Sequence, residues 1–368
     1  MLKKLFTGLL AVQLGLFVIG STGLSEAASA AGRIAGEAGP PAAVQAERSG
    51  RAPSAASRQK PRALSQGDCI GILGPASNAA DTDFSKAVAW LHKLGYRTKL
   101  APSATAEWGY FAGTDSQRAA DINAMFADDS VQAILCLRGG YGAQRVLDRL
   151  DYAMIAEHPK LFIGYSDVTA LHTALGQRSG LVTIHGPMLT SFKGQFTEYT
   201  GSHFSQGLTS RQTMGEVRAA DGKKLQTIVA GSSDGILIGG NLSLLSSMEG
   251  TAFAPEGQGT ILFIEEVREP VYKIDRMLQQ LWQSGLLQQV NGIVYGDFYQ
   301  CGEDADPGDF TLDEVLSYYG RLAGVPVVKG LPAGHAPNNL FLPLGVHARL
   351  QADSDGTGHL ILDEAYTR

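Results

Sequence analysis

The sequence predicts an α/β protein with an N-terminal open α/β domain, whose sheet is largely parallel, and a smaller C-terminal domain of mixed α+β type. Three observations lead to this fold class. Short apolar runs alternate with helical patterns from Asp68 to Leu171, which is typical of a parallel sheet covered by helices. Further apolar runs follow residue 225, with one evident helix among them. A chain of 368 residues, of which 44% are hydrophobic, can bury the cores of two domains.

The first residues, 1–30, have the pattern of a secretory signal peptide. Lys3 and Lys4 precede an apolar stretch over residues 5–19, and a small-residue region ends in Ala28-Ser29-Ala30. The apolar stretch is short for a bilayer-spanning helix. We therefore expect an exported, periplasmic protein that is cleaved near Ala30 and has no stable membrane span. An uncleaved anchor is the alternative.

Residues 31–66 are rich in Ala, Pro, Ser, Gly and Arg and lack hydrophobic periodicity, so they predict a flexible tether. The N-terminal α/β domain is expected over residues 67–195. Its predicted elements are a strand over 69–73, a helix over 84–94, a strand over 96–100, a helix after the capping-box pattern Thr114-x-x-Gln117, a strand over 131–137, a helix over 143–150 and a strand that ends before Ser166.

Residues 196–225 are polar and weakly periodic, which predicts a connection between domains. The C-terminal domain then covers residues 226–368. Its apolar segments are expected at 235–238, 260–264, 292–294, 325–328 and 348–350, with a helix over 272–282.

Ser166 lies where the apolar run Leu161-Phe162-Ile163-Gly164 ends and a helical pattern begins. A sharp strand-to-helix turn lifts such a side chain clear of the sheet and aims it near free helix N–H groups, so Ser166 is placed to act as a nucleophile. The alternative is an ordinary helix N-cap. The surrounding sequence has Val168 where the G-x-S-x-G motif requires its last glycine, which disfavours the standard α/β-hydrolase fold.

The loop Arg138-Gly139-Gly140-Tyr141-Gly142 also follows a predicted strand. Ligands of open parallel sheets bind at the carboxyl ends of the strands, so this loop and Ser166 can share one edge. Adjacent glycines permit a backbone geometry that points N–H groups at an anion, as an oxyanion hole requires; a tight turn is the alternative.

Several other functions lack their usual carriers. The sequence has no P-loop, no complete G-x-G-x-x-G and no H-E-x-x-H motif. A net charge of −6 without a basic stripe disfavours nucleic acid, so we expect a small molecule or peptide as ligand. The three cysteines, Cys69, Cys136 and Cys301, have no metal-binding spacing and indicate no disulfide framework.

Five separated motifs together resemble the LD-carboxypeptidase (muramoyltetrapeptide carboxypeptidase) family of serine peptidases. The resemblance extends from Asp68 almost to the C-terminus. The motifs, in order, are Arg138-Gly139-Gly140-Tyr141-Gly142, Gly164-Tyr165-Ser166-Asp167, Gly239-Gly240-Asn241-Leu242, Phe263-Ile264-Glu265-Glu266 ahead of Asp275-Arg276, and Gly334-His335.

The resemblance implies an active site between two domains that removes the terminal D-alanine from murein tetrapeptides. It implies Ser166 as the nucleophile, His335 as the general base and Glu265 as the carboxylate that orients the base. Backbone N–H groups of Gly139 and Asp167 match the oxyanion hole of the family.

The choice of acid rests on the resemblance, because adjacent residues of a strand point to opposite faces and only one of Glu265 and Glu266 can face His335.

Four further residues are substrate-binding candidates, and three of them have a structural alternative. Arg138 could pair with a substrate carboxylate or form an internal ion pair. Gly140 belongs to the same glycine loop. His185 could line the cleft or be a hydrogen-bonded structural histidine. Asn241 could brace the site or serve as a turn residue.

Two alternative functions stay open. Microcin C self-immunity peptidases resemble this scaffold and cleave a different amide, and a cell-wall-binding module could have lost catalysis. Many relatives act in the cytoplasm, whereas this chain is expected to be exported, so wall material is the expected substrate. The sequence leaves open lysine or diaminopimelate at the third stem position, free muropeptide or intact sacculus, and a homodimer. The expected mechanism uses no metal and no organic cofactor.

Overall fold

Two β-sheets organise the chain in the computed structural model, which describes residues 58–79, 81–192, 196–303 and 306–368. The predicted signal peptide and most of the predicted tether lie outside the described residues. Within the described part of the chain, no helix combines the length and apolar character needed to cross a membrane.

The first sheet has six strands in the order β12-β5-β4-β3-β1-β2. The neighbours from β2 to β5 are parallel, and only β12 is antiparallel to its neighbour. This confirms the predicted largely parallel sheet. Its strands are β1 (Cys69–Leu73), β2 (Arg97–Leu100), β3 (Ala133–Cys136), β4 (Leu161–Gly164), β5 (Thr183–His185) and β12 (Leu342–Leu344).

The helices around this sheet fall between its strands, as the alternating pattern predicts. Thr114 caps the second of them, since its hydroxyl accepts a hydrogen bond from the backbone N–H of Gln117. The α-helices are α1 (Ser85–Lys93), α2 (Asp115–Ala127), α3 (Tyr152–Glu157) and α4 (Thr169–Ser179). Short 3₁₀ helices cover Pro102–Ala104, Ala143–Arg149, Ser166–Val168 and Leu189–Ser191.

The second sheet has eight strands in the order β13-β8-β9-β10-β11-β7-β14-β6, and an additional β13–β14 pairing closes all of them but β6 into a ring. Its strands are β6 (Gly215–Val217), β7 (Leu225–Val229), β8 (Gly231–Asn241), β9 (Thr260–Val267), β10 (Gly292–Tyr299), β11 (Val327–Lys329), β13 (His347–Ala352) and β14 (Thr357–Leu362). The helices that follow β5 in the chain are α5 (Glu198–Thr209), α6 (Leu242–Met248), α7 (Val271–Gln283), α8 (Leu286–Gln289) and α9 (Leu312–Ala323). Of these, α5 packs beside α1, where the rings of Phe204 and Trp90 are 5.5 Å apart.

Two features of this architecture differ from the expectations. The second sheet has eight strands against six in the first, so the C-terminal part is not the smaller one by strand number. The predicted connection over 196–225 contains α5 and β6. Helix α5 has no clear hydrophobic periodicity, because its buried face includes Thr200 and Gly207 beside Phe204 and Leu208.

The described end of the predicted tether, residues 58–66, also packs against the fold. Gln59 forms an isolated β-bridge with Leu181, and the N–H of Leu64 donates a hydrogen bond to the carbonyl of Leu208 at 2.8 Å. Ala63 and Leu64 are 1% and 3% exposed, so this part of the segment buries apolar surface where a tether was expected.

The two sheets meet through α4 and through the Gly239-Gly240 pair at the end of β8. A Cβ atom on Gly240 would lie 2.4 Å from Oγ1 of Thr169, and one on Gly239 would lie 1.9 Å from the carbonyl oxygen of Phe263. Only glycine permits this close approach of backbone to backbone and to α4. The motif therefore serves to bring the second sheet against the helix that follows Ser166.

Candidate active site

Ser166 occupies a strained turn between β4 and α4. Its φ of 65° lies in the left-handed region, which costs a residue other than glycine roughly 1–2 kcal/mol. Tyr165 before it is extended, and the N-cap of α4 is Val168. Ser166 is therefore not the cap of that helix, and the turn instead presents its side chain at the carboxyl end of β4.

The glycine loop after β3 lies directly against this turn. A Cβ atom on Gly139 would be 2.9 Å from Cβ of Ser166, 3.1 Å from its Oγ and 3.1 Å from the backbone nitrogen of Asp167. The backbones of Gly139 and Asp167 thus flank the hydroxyl. This juxtaposition is what two oxyanion donors on separate segments require.

Two side chains hold the loop in place. Ser77 donates its backbone N–H to the carbonyl of Gly139 at 3.2 Å, and its hydroxyl accepts from the N–H of Tyr141 at 3.0 Å. Buried Arg118 donates to the carbonyl of Gly142 at 2.8 Å. The loop is therefore fixed at both of its ends.

The side chain of Asp167 ties the nucleophile turn to the same loop. Its carboxylate accepts the backbone N–H of Ala143 at 2.7 Å and is 2% exposed. Burial raises the pKa of Asp167 to about 6, although backbone hydrogen bonds from Ala143 and Gly142 act to lower it. Asp167 therefore couples the position of its own backbone N–H to that of the glycine loop.

Glu265 and His335 form a hydrogen-bonded pair contributed by the second half of the chain. Glu265 lies on β9, and His335 lies in the segment between β11 and β12. The Nδ1 atom of His335 is 2.7 Å from Oε2 of Glu265, whose side chain has no exposed surface. The ring of Tyr165, which precedes the nucleophile, is 4.8 Å from the imidazole ring centre to centre.

The charges of this pair are set by burial and by their mutual attraction. Burial pushes the pKa of Glu265 upward, but His335 and His185 outweigh it and lower that pKa to about 2. Burial pushes the pKa of His335 downward, but the neighbouring carboxylates outweigh it and the pKa is raised. An ionised Glu265 assigns the ring proton to Nδ1, which leaves Nε2 as the basic nitrogen.

Glu266 points to the other face of β9, as strand geometry predicts for adjacent residues. Its carboxylate accepts from Nδ2 of Asn241 at 2.9 Å, and from the backbone N–H and the hydroxyl of Ser243 at 2.8 Å and 2.7 Å. Glu266 thus anchors the start of α6. Of the two acids, Glu265 is the one that contacts His335.

The remaining candidates take different places. Arg138 is half-buried beside the glycine loop and donates to the carbonyl of Asn78 at 3.1 Å, while Gly140 is exposed on the same loop. Asn241 is 3% exposed and caps α6. His185 has no exposed surface, and its Nε2 is 3.8 Å from Oε1 of Glu265. His185 and Asn241 are thus both buried side chains, as their structural alternatives predict, and contact of either with substrate stays a prediction.

Asp297 is a site residue that the sequence reasoning missed. A Cβ atom on Gly334 would touch both Cβ of Asp297 at 3.0 Å and Oε2 of Glu265 at 3.1 Å, so the two acids are close neighbours. Burial, and then the charge of Glu265, raise the pKa of Asp297 to about 7. The apolar run at 292–294 continues through β10 to this acid, which lies two residues before the carboxyl end of the strand, and that position was the available signal.

Among the described residues, no group of three or more His, Cys, Asp or Glu side chains has an arrangement that could hold a metal ion. The three cysteines are unpaired thiols, with Cys69 and Cys136 buried. Burial raises the pKa of the Cys136 thiol far above its ordinary value, so it behaves as a small apolar side chain.

Sequence comparisons match most of the described chain to known proteins. Residues 70–186 match the model of the LD-carboxypeptidase N-terminal domain, and residues 234–350 match that of the LD-carboxypeptidase C-terminal domain. A Bacillus subtilis protein named "Probable murein peptide carboxypeptidase" is 39% identical over 79% of this chain and 91% of its own length. The murein tetrapeptide carboxypeptidase of Pseudomonas aeruginosa is 32% identical over 77% of this chain and 93% of its own.

The crystal structure of a muramoyltetrapeptide carboxypeptidase from Oxalobacter formigenes superposes with a TM-score of 0.71 at 32% identity, covering 81% of this chain and 99% of that one. The microcin C7 self-immunity protein MccF of Escherichia coli is also similar, at 29% identity over 79% of this chain and 92% of its own length.

Proposed function

Because the chain belongs to the LD-carboxypeptidase family of serine peptidases, we propose that it hydrolyses the amide bond before the terminal D-alanine of murein tetrapeptides. The observation that carries the proposal is the 2.7 Å hydrogen bond between buried Glu265 and His335, which lies beside the strained turn of Ser166. Relatives named for murein peptide carboxypeptidase activity support the substrate class.

In the proposed mechanism Nε2 of His335 takes the proton of the Ser166 hydroxyl as its oxygen attacks the scissile carbonyl carbon. The negative charge that develops on the carbonyl oxygen is held by the backbone N–H groups of Gly139 and Asp167, and one such donor is typically worth ~10²–10³ in kcat. His335 then returns the proton to the amine of the leaving D-alanine. Water hydrolyses the acyl-enzyme by the same proton transfers in reverse.

Glu265 supplies the charge that this cycle needs. When His335 becomes an imidazolium, the ionised carboxylate at 2.7 Å stabilises the cation and keeps Nδ1 protonated, so that Nε2 remains directed to the reaction. Because Glu265 is fully buried, solvent does not screen this attraction.

Arg138 is proposed to bind the terminal carboxylate that distinguishes a carboxypeptidase substrate. Its guanidinium uses one N–H group on the carbonyl of Asn78, and no carboxylate among the described residues lies within ion-pair distance of it. It lies on the glycine loop, one residue from Gly139. A planar fork of donors suits a carboxylate, and the unpaired charge favours binding one.

We also propose that the enzyme is exported and acts in the periplasm, where wall material is available. The support is the pattern of Lys3, Lys4, the apolar stretch over 5–19 and the small residues that end at Ala30. Terminal sequencing of the mature protein from fractionated cells tests this. A periplasmic protein that begins just after Ala30 is expected, and a cytoplasmic protein of full length would contradict the proposal.

The decisive activity test incubates purified protein with a murein tetrapeptide, a pentapeptide and an aminoacyl-sulfamoyl adenylate, and identifies the products by mass spectrometry. D-alanine is expected from the tetrapeptide, and Ser166→Ala should abolish its release while the protein stays folded. Preference for the adenylate would favour the immunity-type reaction, since the microcin relative shares the scaffold. Failure of all three to react would reject the enzyme assignment and leave a wall-binding module.

A further inference from the structure

An exposed cluster of aromatic rings lies beside the proposed active site. Trp108, Tyr110 and Tyr141 are 51%, 62% and 48% exposed, and we refer to these three side chains as the aromatic platform. They are half of the large exposed hydrophobic side chains in the part of the chain that the structure describes, the others being Leu100, Tyr272 and Phe310. A local concentration of exposed aromatic surface is typical of a binding site.

The platform is built on one buried ring. Phe111 is 5% exposed, and its centroid lies 4.4 Å from that of Tyr110, 5.7 Å from Tyr141 and 5.9 Å from Trp108. Reciprocal backbone hydrogen bonds join Trp108 and Phe111 at 3.0 Å and 3.1 Å. The rings are therefore held before any ligand arrives, which lowers the entropy cost of binding.

The platform continues directly into the glycine loop. Tyr141 is two residues from Gly139, and Ser77 binds both of them through its backbone N–H and its hydroxyl. The two residues from Gly139 to Tyr141 span at most about 7 Å of chain. The three stem residues that precede the scissile bond span roughly 10 Å when extended, which is longer than that distance. A group attached to the N-terminal end of such a stem, with its scissile bond at Ser166, therefore falls within reach of the platform.

The charge around the platform favours a neutral ligand. The guanidinium of Arg145 lies 5.0 Å from the centroid of Phe111, but it is paired with both carboxylate oxygens of Asp115 at 2.9–3.1 Å. Arg145 therefore offers little free positive charge to a phosphate, and the charge of Arg138 on the same loop is assigned to the substrate carboxylate. Aromatic faces offer flat apolar surface to the C–H face of a sugar ring, and the tyrosine hydroxyls offer hydrogen bonds at its edge.

We propose that the aromatic platform binds an N-acetylated sugar of the murein glycan attached to the N-terminal end of the peptide stem. This rests on the proposed function, and it extends it by making glycan-linked stems better substrates than free peptides. A binding gain typical of a central aromatic contact corresponds to roughly a tenfold higher kcat/KM for the sugar-linked substrate.

The test compares kcat/KM for disaccharide-tetrapeptide and for free tetrapeptide. The wild-type ratio is expected to be about ten, and Trp108→Ala/Tyr110→Ala should reduce it to about one while the value for free tetrapeptide is unchanged. Tyr272→Ala is the matched control, because this tyrosine is 65% exposed on α7 and outside the platform. Its ratio should equal that of the wild type, and thermal unfolding confirms that each variant folds.

Calorimetric titration of the inactive Ser166→Ala protein with disaccharide-tripeptide and with free tripeptide decides the question without turnover. Tighter binding of the sugar-linked ligand that is lost in the platform variant supports the proposal even if tetrapeptides are not cleaved. Equal binding of both ligands would overturn it. So would a platform variant that loses adenylate binding alone, or light scattering that shows a dimer which dissociates when the platform is removed.

Discussion

Replacing Gly139 with alanine tests whether the glycine loop forms part of the catalytic site. The added Cβ would lie 2.9 Å from Cβ of Ser166 and 3.1 Å from both its Oγ and the nitrogen of Asp167. Since carbon atoms pack at 3.5–4.0 Å, the loop must retreat by roughly 0.6 Å or more. Gly139 has no left-handed backbone conformation, so the clash and not backbone strain determines the outcome.

A displaced oxyanion donor predicts a loss of ~10²–10³ in kcat for Gly139→Ala, with an overpacking cost of about 1–3 kcal/mol in unfolding free energy. The assay measures D-alanine release at saturating tetrapeptide, with thermal unfolding in parallel. Gly176→Ala on α4 is the control, because its Cβ would meet its nearest neighbour at 4.0 Å and should leave kcat unchanged. A folded Gly139→Ala enzyme with wild-type kcat would refute the assignment of this loop.

Three further substitutions separate the roles of individual groups. Glu265→Gln should lower kcat by a factor of roughly 10⁴, because His335 loses the charge that orients it. Glu266→Gln should instead lower the unfolding free energy by about 1–3 kcal/mol and leave kcat unchanged. Equal losses of kcat in the two variants would contradict the assignment of Glu265 as the acid that serves His335. Ser166→Gly and Ser166→Ala should both be inactive, but the glycine variant should be more stable by about 1 kcal/mol in chemical denaturation because it relieves the φ of 65°. Asp297 has a raised pKa, so the stability that it contributes is complete below pH 3.8 and is lost as the pH rises through about 7. The unfolding free energy of Asp297→Asn should therefore rise relative to that of the wild type across this window, by on the order of 4 kcal/mol. A difference in unfolding free energy that does not change with pH would exclude the predicted protonation.

The first sheet was the most predictable part of the fold. Buried parallel strands such as Cys69–Leu73 are continuous apolar runs, and the helices between them carry recognisable start signals such as Thr114. Strand β12 could not be predicted to join this sheet, because Leu342–Leu344 pairs with β5, which lies about 160 residues earlier in the chain, and nothing local specifies that partner.

The site was predictable in its residue types but not in its arrangement. A strand-to-helix serine and a glycine loop can be read from local sequence, and strand geometry limits Glu265 and Glu266 to opposite faces. Asp297 was missed because its importance depends on contact with Glu265, which no spacing encodes. The tether prediction failed over 58–66 for the same reason, since the surface that buries Leu64 lies around Leu208.

The two acids close to the His335 imidazole can take different roles, because their environments give them different pKa values. Glu265 touches His335 and stays ionised, with a pKa of about 2, whereas burial first and then repulsion from Glu265 raise the pKa of Asp297 to about 7. If both were charged, the buried pair would repel, and if both were neutral, the imidazolium formed during catalysis would lack its counter-ion. One dedicated carboxylate therefore serves the base, while the second acid adds negative charge as the pH rises through about 7.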